Sequence, residues 1–469
     1  MKVEQIYTGC LAQGTYYIES NGEVAVIDPL REVTPYIEKA TKNGAKIKYI
    51  FETHFHADFV SGHITLSQKT GAPIVFGPNA NPQFEAHIAK DNEEFKLGNV
   101  VIRAIHTPGH TMESTTYLLL DEDGKEYAIF TGDTLFLGDV GRPDLAQKTN
   151  ELTTEDLARY LYDSLRNKIM ILPDDVIVYP AHGAGSACGK NMMKETVDLL
   201  GNQKKVNYAL RSDMTKEEFV NEVTDGLEAP PGYFPLNVRL NKEGYKPVQN
   251  VLDEGLKALS ANDFEVIANE TNAIMLDVRK PEDFAKGHIP NSVFIGLDGS
   301  FAPWVGEMIV DIQHPILLVV PQGREQEAIT RLSRVGFDNT LGYLDGGFES
   351  WKKAGKEMDT VISIPAESLE AAYHENANAI FDVRKQTEYL SEHIKKAHNT
   401  PLAEINDHLA EFPKEEPFYV HCAGGYRSMI AASILKSRGY HNLIDIQKGY
   451  KAISKTSIPK TDYVCPSTL

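Results

Sequence analysis

Cysteine is scarce: Cys10, Cys188, Cys422 and Cys465 are the only four thiols in 469 residues, and they stand far apart. That spacing fits free thiols in a reducing cytoplasm better than a disulfide framework. Basic charge is short too, with 47 Lys and Arg against 66 Asp and Glu, and a formal net charge of -19 argues against a nucleic-acid partner. No apolar run is long enough to span a membrane, so no membrane partner is expected. Met1 to Cys10 lacks the apolar core of a signal peptide, and a strand pattern begins there at once. The rest is ordinary for a globular protein, at 42% hydrophobic and 24% charged residues, and the length suggests roughly three domains.

The chain is organised around Thr53-His54-Phe55-His56-Ala57-Asp58. An apolar strand pattern, Tyr49-Ile50-Phe51, leads into it, and a helix is predicted after it over 61–69. Two imidazoles and a carboxylate within five residues suit a borderline metal ion; the alternative is a plain polar turn. The same arrangement recurs downstream. Thr107-Pro108-Gly109-His110-Thr111 follows a strand over 100–106, and Thr131-Gly132-Asp133-Thr134-Leu135-Phe136 follows one over 127–130. Pro180-Ala181-His182-Gly183 follows a strand over 176–179. Each places a His or Asp just past a strand, beside a Gly or Pro that permits a tight turn. Further strands over 3–7, 15–19, 24–27 and 115–120, with a helix over 33–42, give a mixed αββα-like reading.

In this order the four motifs resemble the metallo-β-lactamase superfamily, in its glyoxalase II and persulfide dioxygenase branch. The signature there runs T-H-x-H-A-D-H, T-P-G-H-T, G-D-x-L-F and A-H-G. This chain departs from it once, with Phe59 in place of the last histidine of the first motif. In binuclear members the Asp and His ending that motif help hold a second metal. Phenylalanine cannot ligate, so a second site would keep Asp58 and His182 at most, and one metal is expected. The resemblance to the persulfide dioxygenases implies His54, His110 and Asp133 as its ligands. Two histidines and one carboxylate with open positions point to Fe(II) and dioxygen more than to zinc hydrolysis, so the expectation is one Fe(II) per chain. His56, Asp58 and His182 would then orient those ligands or bond to bound oxygen species.

Two neighbouring stretches extend the site. Gly138-Asp139-Val140-Gly141-Arg142-Pro143-Asp144 resembles the G-R-x-D segment that faces the thiol substrate in these dioxygenases. Arg142 could grip a substrate carboxylate bidentately, or simply pair with an Asp. Cys188 lies in a Gly-rich run before a helix predicted to begin near Lys190. A thiol beside a helix N-terminus and a metal could have a lowered pKa and relay sulfur; the alternative is a small buried residue in a tight turn.

From Glu228 to Val248 the composition shifts to Pro230-Pro231-Gly232-Tyr233-Phe234-Pro235, read as a stiff linker packed on the first domain through Tyr233 and Phe234. Beyond it the chain repeats itself. Leu276-Asp277-Val278-Arg279 is echoed by Phe381-Asp382-Val383-Arg384, and Gly287-His288-Ile289 by Glu392-His393-Ile394. These elements resemble rhodanese sulfurtransferase domains, here two in tandem. The second copy holds His421-Cys422-Ala423-Gly424-Gly425-Tyr426-Arg427-Ser428 before an apolar helix. Loop N–H groups and a helix N-terminus aimed at the Cys422 sulfur favour a thiolate and a persulfide anion, and Arg427 adds positive charge for an anionic sulfur donor or acceptor. The first copy reads Val320-Pro321-Gln322-Gly323-Arg324 at that place, without cysteine, and is expected to be inactive.

The expected fold is thus multidomain α/β and α+β: an αββα metallo-β-lactamase fold over 1–229, a linker over 230–249, an inactive rhodanese-like domain over 250–357 and a catalytic one over 358–469. The resemblance to persulfide dioxygenase–rhodanese fusions implies oxidation of a low-molecular-weight thiol persulfide by dioxygen to sulfite, and transfer of a second sulfur through Cys422 to give thiosulfate. A homo-oligomer is expected. A zinc-dependent glyoxalase II-type thioester hydrolase fused to a sulfurtransferase is the alternative, and a non-enzymatic sulfur sensor a more distant one.

Overall fold

Alternation decides the layers of the N-terminal part. In strand Glu23–Ile27, Val24 and Val26 pack with Tyr36, Ala40 and Leu66 of helices Thr34–Lys42 and His63–Thr70. Ala25 and Ile27, on the opposite face, pack with Ile102, Tyr117 and Phe130 of a second sheet. The outer face of that second sheet, through Leu118, Ile129 and Val178, buries Ala158, Leu161 and Leu165 of a second helical layer. The result is helix, sheet, sheet, helix, the αββα sandwich expected from the strand pattern.

The computed structural model describes residues 1–145, 152–227, 229–374 and 379–465. Glu228, where the composition shift begins, and the chain end at Leu469 lie outside these. The chain divides into two units, Met1–Gln249 with Leu332–Gly336, and Asn250–Arg331 with Phe337 onward. The first sheet runs in chain order through Lys2–Thr8, Gln13–Ser20, Glu23–Ile27, Lys46–Phe51, Ile74–Phe76 and His87–Ile88. The second places Glu126–Gly132 between Thr115–Leu120 and the parallel strand Ile177–Pro180. Four strands, Lys46–Phe51, Val100–His106, Glu126–Gly132 and Ile177–Pro180, end at the four motifs.

Two expectations need correction. The Pro-rich stretch after Glu228 is no simple linker: it contains helix Phe234–Glu243, whose first turn holds Pro235, a position where the missing N–H costs nothing. Tyr233 and Phe234 are buried, as expected. Nor does a helix begin near Lys190; the next helix is Leu200–Val206. The Asp139 carboxylate accepts the backbone N–H groups of Lys190 at 2.6 Å and Asn191 at 2.7 Å and holds that stretch as a loop.

The second unit contains two five-stranded parallel sheets of identical order. One runs Ala258–Leu259, Thr340–Leu344, Ile316–Val319, Ile274–Asp277, Val293–Phe294. The other runs Ile362–Ile364, Leu443–Ile446, Phe418–His421, Ile380–Asp382, His398–Asn399. The repeat extends to side chains. Arg279 chelates Asp277 and donates to the Gly287 carbonyl at 2.8 Å; Arg384 chelates Asp382 and donates to the Glu392 carbonyl at 2.8 Å. Among the described residues no helix is long and apolar enough to cross a membrane.

Candidate metal centre and cysteine loop

His54, His110 and Asp133 come from three strand ends, yet their ligand atoms lie within 4.8 Å of one another and all three side chains are buried. Asp133 Oδ2 faces His54 Nε2 at 3.8 Å and His110 Nε2 at 3.5 Å, and it has no hydrogen-bond partner. The far side of each ring is tied. His110 Nδ1 lies 2.8 Å from the Arg142 carbonyl, which can only accept, so Nδ1 carries the proton. Thr53 Oγ1 donates to Asp28 Oδ2 at 2.9 Å, so at 3.0 Å it accepts from His54 Nδ1. Both Nε2 lone pairs are therefore left to point at Asp133 Oδ2. Burial and the neighbouring His56 hold His54 well below its ordinary pKa, neutral and able to ligate. An orphaned buried carboxylate oxygen facing two unprotonated imidazole nitrogens is a donor set that fits a divalent metal.

Local backbone makes this approach possible. Gly132 sits at φ 54°, and a Cβ there would lie 2.7 Å from Thr53 Cβ. Any other residue would push the Asp133 turn away from the His54 turn.

The residues expected around the ligands fall into two further groups. His182 bridges two carboxylates, with Nδ1 at 2.8 Å from Asp133 Oδ1 and Nε2 at 2.8 Å from Asp58 Oδ2. Burial opposes its charge, but Asp133 and Asp58 outweigh burial and raise its pKa well above the ordinary value. Cys188 joins Asp58 and His182 to within 4.8 Å, near His182 as the chain order suggests and beside Asp58 only through the fold. Burial first, then Asp133 and Asp58, push the Cys188 thiol well above its ordinary pKa, opposite to the lowering that a helix N-terminus would have given. His56 turns away from the ligand set. Its Nε2 lies 3.1 Å from Asp28 Oδ1 and 3.6 Å from Glu52 Oε2, while the Phe59 ring lies tilted against it with centroids 4.4 Å apart. Glu52 is pushed up by burial and by Asp28, and burial brings His63 beside it down to about 3.

Sequence reasoning missed Asn241. From helix Phe234–Glu243 its amide donates to the His56 and Phe59 carbonyls, each at 2.8 Å, and its oxygen accepts Ser61 N–H at 2.8 Å. It thus latches the first motif's loop. Arg142 is present but engaged: Nε and Nη2 close on Asp144 at 2.7 and 2.6 Å, so the fork expected to meet a substrate carboxylate already holds one. The Arg142 carbonyl also accepts from His110 Nδ1.

The second centre is built from one continuous loop. Cys422 follows strand Phe418–His421, is 1% exposed, and precedes helix Tyr426–Ser437. Gly425 N–H donates to Cys422 Sγ at 3.1 Å, and Gly425 itself sits at φ 99°. The Cys422 and Ala423 carbonyls accept N–H groups of Tyr450 and Lys451 at 2.7 and 3.0 Å. Arg427 is close enough to Cys422 to feel its charge, but its fork closes on Glu388 at 2.6 and 2.9 Å. Burial works against that pair, yet Arg427 brings Glu388 below the ordinary carboxylate range. In the first copy Arg324 stands beyond Pro321 and pairs with Asp298 and Glu327.

Comparison with known proteins agrees with this layout. Residues 8–182 match the metallo-beta-lactamase superfamily, and residues 260–354 and 365–456 each match the rhodanese-like domain. The chain is 34% identical over 161 residues to a probable hydroxyacylglutathione hydrolase of Schizosaccharomyces pombe, glo2, covering 34% of this chain and 58% of that protein. A second such protein from the same yeast is 30% identical and covered over 60% of its length, so the chain spans somewhat under two thirds of these relatives. It is 30% identical over 210 residues to the mitochondrial persulfide dioxygenase ETHE1 of Mus musculus, covering 44% of this chain and 73% of that one. The crystal structure of a metallo-beta-lactamase from Staphylococcus aureus aligns with a TM-score of 0.64 at 29% identity, over 73% of this chain and 98% of the other. The chain belongs to the metallo-β-lactamase superfamily and carries two rhodanese-like domains fused behind that fold.

Proposed function

We propose that the first unit is a mononuclear ferrous persulfide dioxygenase and that the last domain is a sulfurtransferase with Cys422 as nucleophile. The observation that carries this reading is the convergence of His54 Nε2, His110 Nε2 and Asp133 Oδ2, each buried and held from behind. Those three residues would hold one Fe(II), which supplies the electron transfer that dioxygen needs to react with a sulfane sulfur. The overall conversion takes a thiol persulfide, dioxygen and water to the free thiol, sulfite and two protons; the sulfane sulfur loses four electrons and dioxygen gains them. The protein's part is to orient and exclude. Thr53 and the Arg142 carbonyl fix the two rings, and Phe59, fully buried, fills the place of a further ligand. His182 stands between Asp58 and Asp133, 2.8 Å from each, and their carboxylates favour its charged form. The raised thiol of Cys188 rests protonated, and its proposed part in relaying sulfur requires a proton acceptor at the moment of transfer.

At Cys422 the thiolate attacks the sulfane sulfur of a second persulfide. The persulfide S–S bond breaks, the small thiolate leaves, and Cys422 carries the outer sulfur. Sulfite then attacks that outer sulfur, giving thiosulfate and regenerating the cysteine. The Gly425 N–H and the start of the twelve-residue helix Tyr426–Ser437 stabilise the anionic sulfur at both stages. Free thiols at Cys10, Cys188 and Cys422 suit a cytoplasmic setting. Zinc-dependent thioester hydrolysis is the second reading, favoured by the hydroxyacylglutathione hydrolase relatives and opposed by Phe59. Product partition tests the coupling: Cys422→Ser keeps persulfide-dependent oxygen uptake and turns the product from thiosulfate to sulfite, whereas an unchanged thiosulfate yield contradicts the role of Cys422.

A further inference from the structure

The rhodanese-like copy without a cysteine touches the loop of the copy that has one. Tyr426 is the first residue of the helix that opens at the Cys422 loop, adjacent to the Gly425 whose N–H reaches Sγ. Its hydroxyl crosses to the first copy and donates to the Gly296 carbonyl at 2.6 Å. Its ring lies against two glycines of that copy. A Cβ on Gly296 would come within 3.1 Å of the ring, and one on Gly299 within 2.6 Å. The receiving loop is itself braced, because Arg331 donates to the carbonyls of Leu297 at 2.5 Å and Gly299 at 3.1 Å.

The contact continues along the same helix. Ser433, two turns on from Tyr426 and so on the same face, accepts the Phe294 N–H at 2.9 Å. Lys436 pairs at 3.0 Å with Asp359, whose backbone bridges to His288 of the first copy. A helix fixed at its first turn and again two turns later cannot rotate or slide, and its N-terminus is the part that faces the sulfur. A misplacement of about 1 Å at a reacting centre can cost roughly 100-fold in rate.

We infer that the cysteine-less copy is a working part of the sulfurtransferase site: through Gly296 and Gly299 it holds Tyr426, a positioning residue that sets the Cys422 loop and the helix start beneath the sulfur. This rests on the reading of Cys422 as the sulfur-accepting nucleophile. It gives the first copy a task that needs no thiol, and it explains why two glycines stand where the Tyr426 ring enters.

The test uses the full chain with Tyr426→Phe, which keeps the ring and removes only the donor, and Gly299→Ala, which displaces the ring from the other side. Three quantities are measured: the pH profile of Cys422 alkylation by iodoacetamide, read on the Cys422 peptide by mass spectrometry; kcat and KM for thiosulfate formation from sulfite and glutathione persulfide; and Tm. The expected result for both variants is an alkylation profile moved to higher pH and a kcat lowered about tenfold at nearly unchanged KM, with persulfide-dependent oxygen uptake as in the wild type. Variants that alkylate and turn over as the wild type does, even with a lower Tm, overturn the inference, since the contact would then be structural only. A wild-type Cys422 peptide that never gains a sulfur atom from persulfide overturns the nucleophile reading instead, and the inference with it.

Discussion

The two chemical centres are built in opposite ways. The proposed metal centre gathers His54, His110 and Asp133 from the ends of three strands in two sheets, and each proposed ligand depends on a group elsewhere in the chain: Thr53 with Asp28, the Arg142 carbonyl, and His182. The cysteine centre takes its chemistry from one continuous stretch, the loop Cys422 to Gly425 and the first turn of the helix that follows. A centre of the first kind fails through any of several distant positions. One of the second kind can be removed while its fold remains, and the first rhodanese-like copy displays that outcome: same sheet order, same Arg–Asp chelate, Val320 in place of the proposed nucleophile. Fold and chemistry are separable in the repeat and entangled in the metal domain.

The largest effects should separate the centres altogether. His110→Ala removes one of three ligands, so bound iron and persulfide-dependent oxygen uptake both fall to background, while sulfur transfer from persulfide to sulfite through Cys422 continues at the wild-type rate. Iron analysis beside the two assays checks this; loss of both activities in a folded variant would break the comparison. Cys422→Ser should give the mirror image.

A smaller effect tests whether the metal centre depends on its supports. Thr53→Val keeps the shape and removes the acceptor for His54 Nδ1 and the donor to Asp28. Loss of such an outer partner costs roughly 10–100-fold in metal affinity, measurable by competition with a chelator. An unchanged affinity would mean that His54 needs no orientation from behind.

The smallest effect concerns Glu388 under Arg427. This carboxyl is lowered in the folded protein, so its contribution is present above the ordinary glutamate value of about 4.3 and is lost as acid carries pH down through the lowered one. The pair is partly exposed, so Glu388→Gln should lower Tm by only about 2 °C near neutral pH. That gap should close on acidification below about pH 4. A gap that persists in acid would show that the pairing is not its cause.

Much of this was legible because the signals are local. Each of the four motifs follows a strand with clean alternation or a continuous apolar run, and the copied Asp-Val-Arg elements announce the repeat without any structure. The misreadings arose where distant groups override local preference. Residues near Lys190 lose a helix because Asp139, about fifty positions earlier, takes their N–H groups. Pro230-Pro231-Gly232 reads as a breaker, yet Pro235 opens a helix that supplies Asn241 to the first motif's loop. For Arg142 the sequence leaves open a substrate carboxylate or an Asp partner, and the fold shows the Asp144 pair, while Arg427 pairs with Glu388 beside the Cys422 loop. Cys188 could be placed near His182 along the chain, but only folding brings its sulfur beside Asp58.

The most direct test of the central claim is metal content with oxygen consumption on anaerobically purified protein, using glutathione persulfide as substrate. The account predicts about one iron per chain and oxygen uptake that requires the persulfide. Two zinc ions per chain, no oxygen uptake and turnover of a glutathione thioester would contradict it.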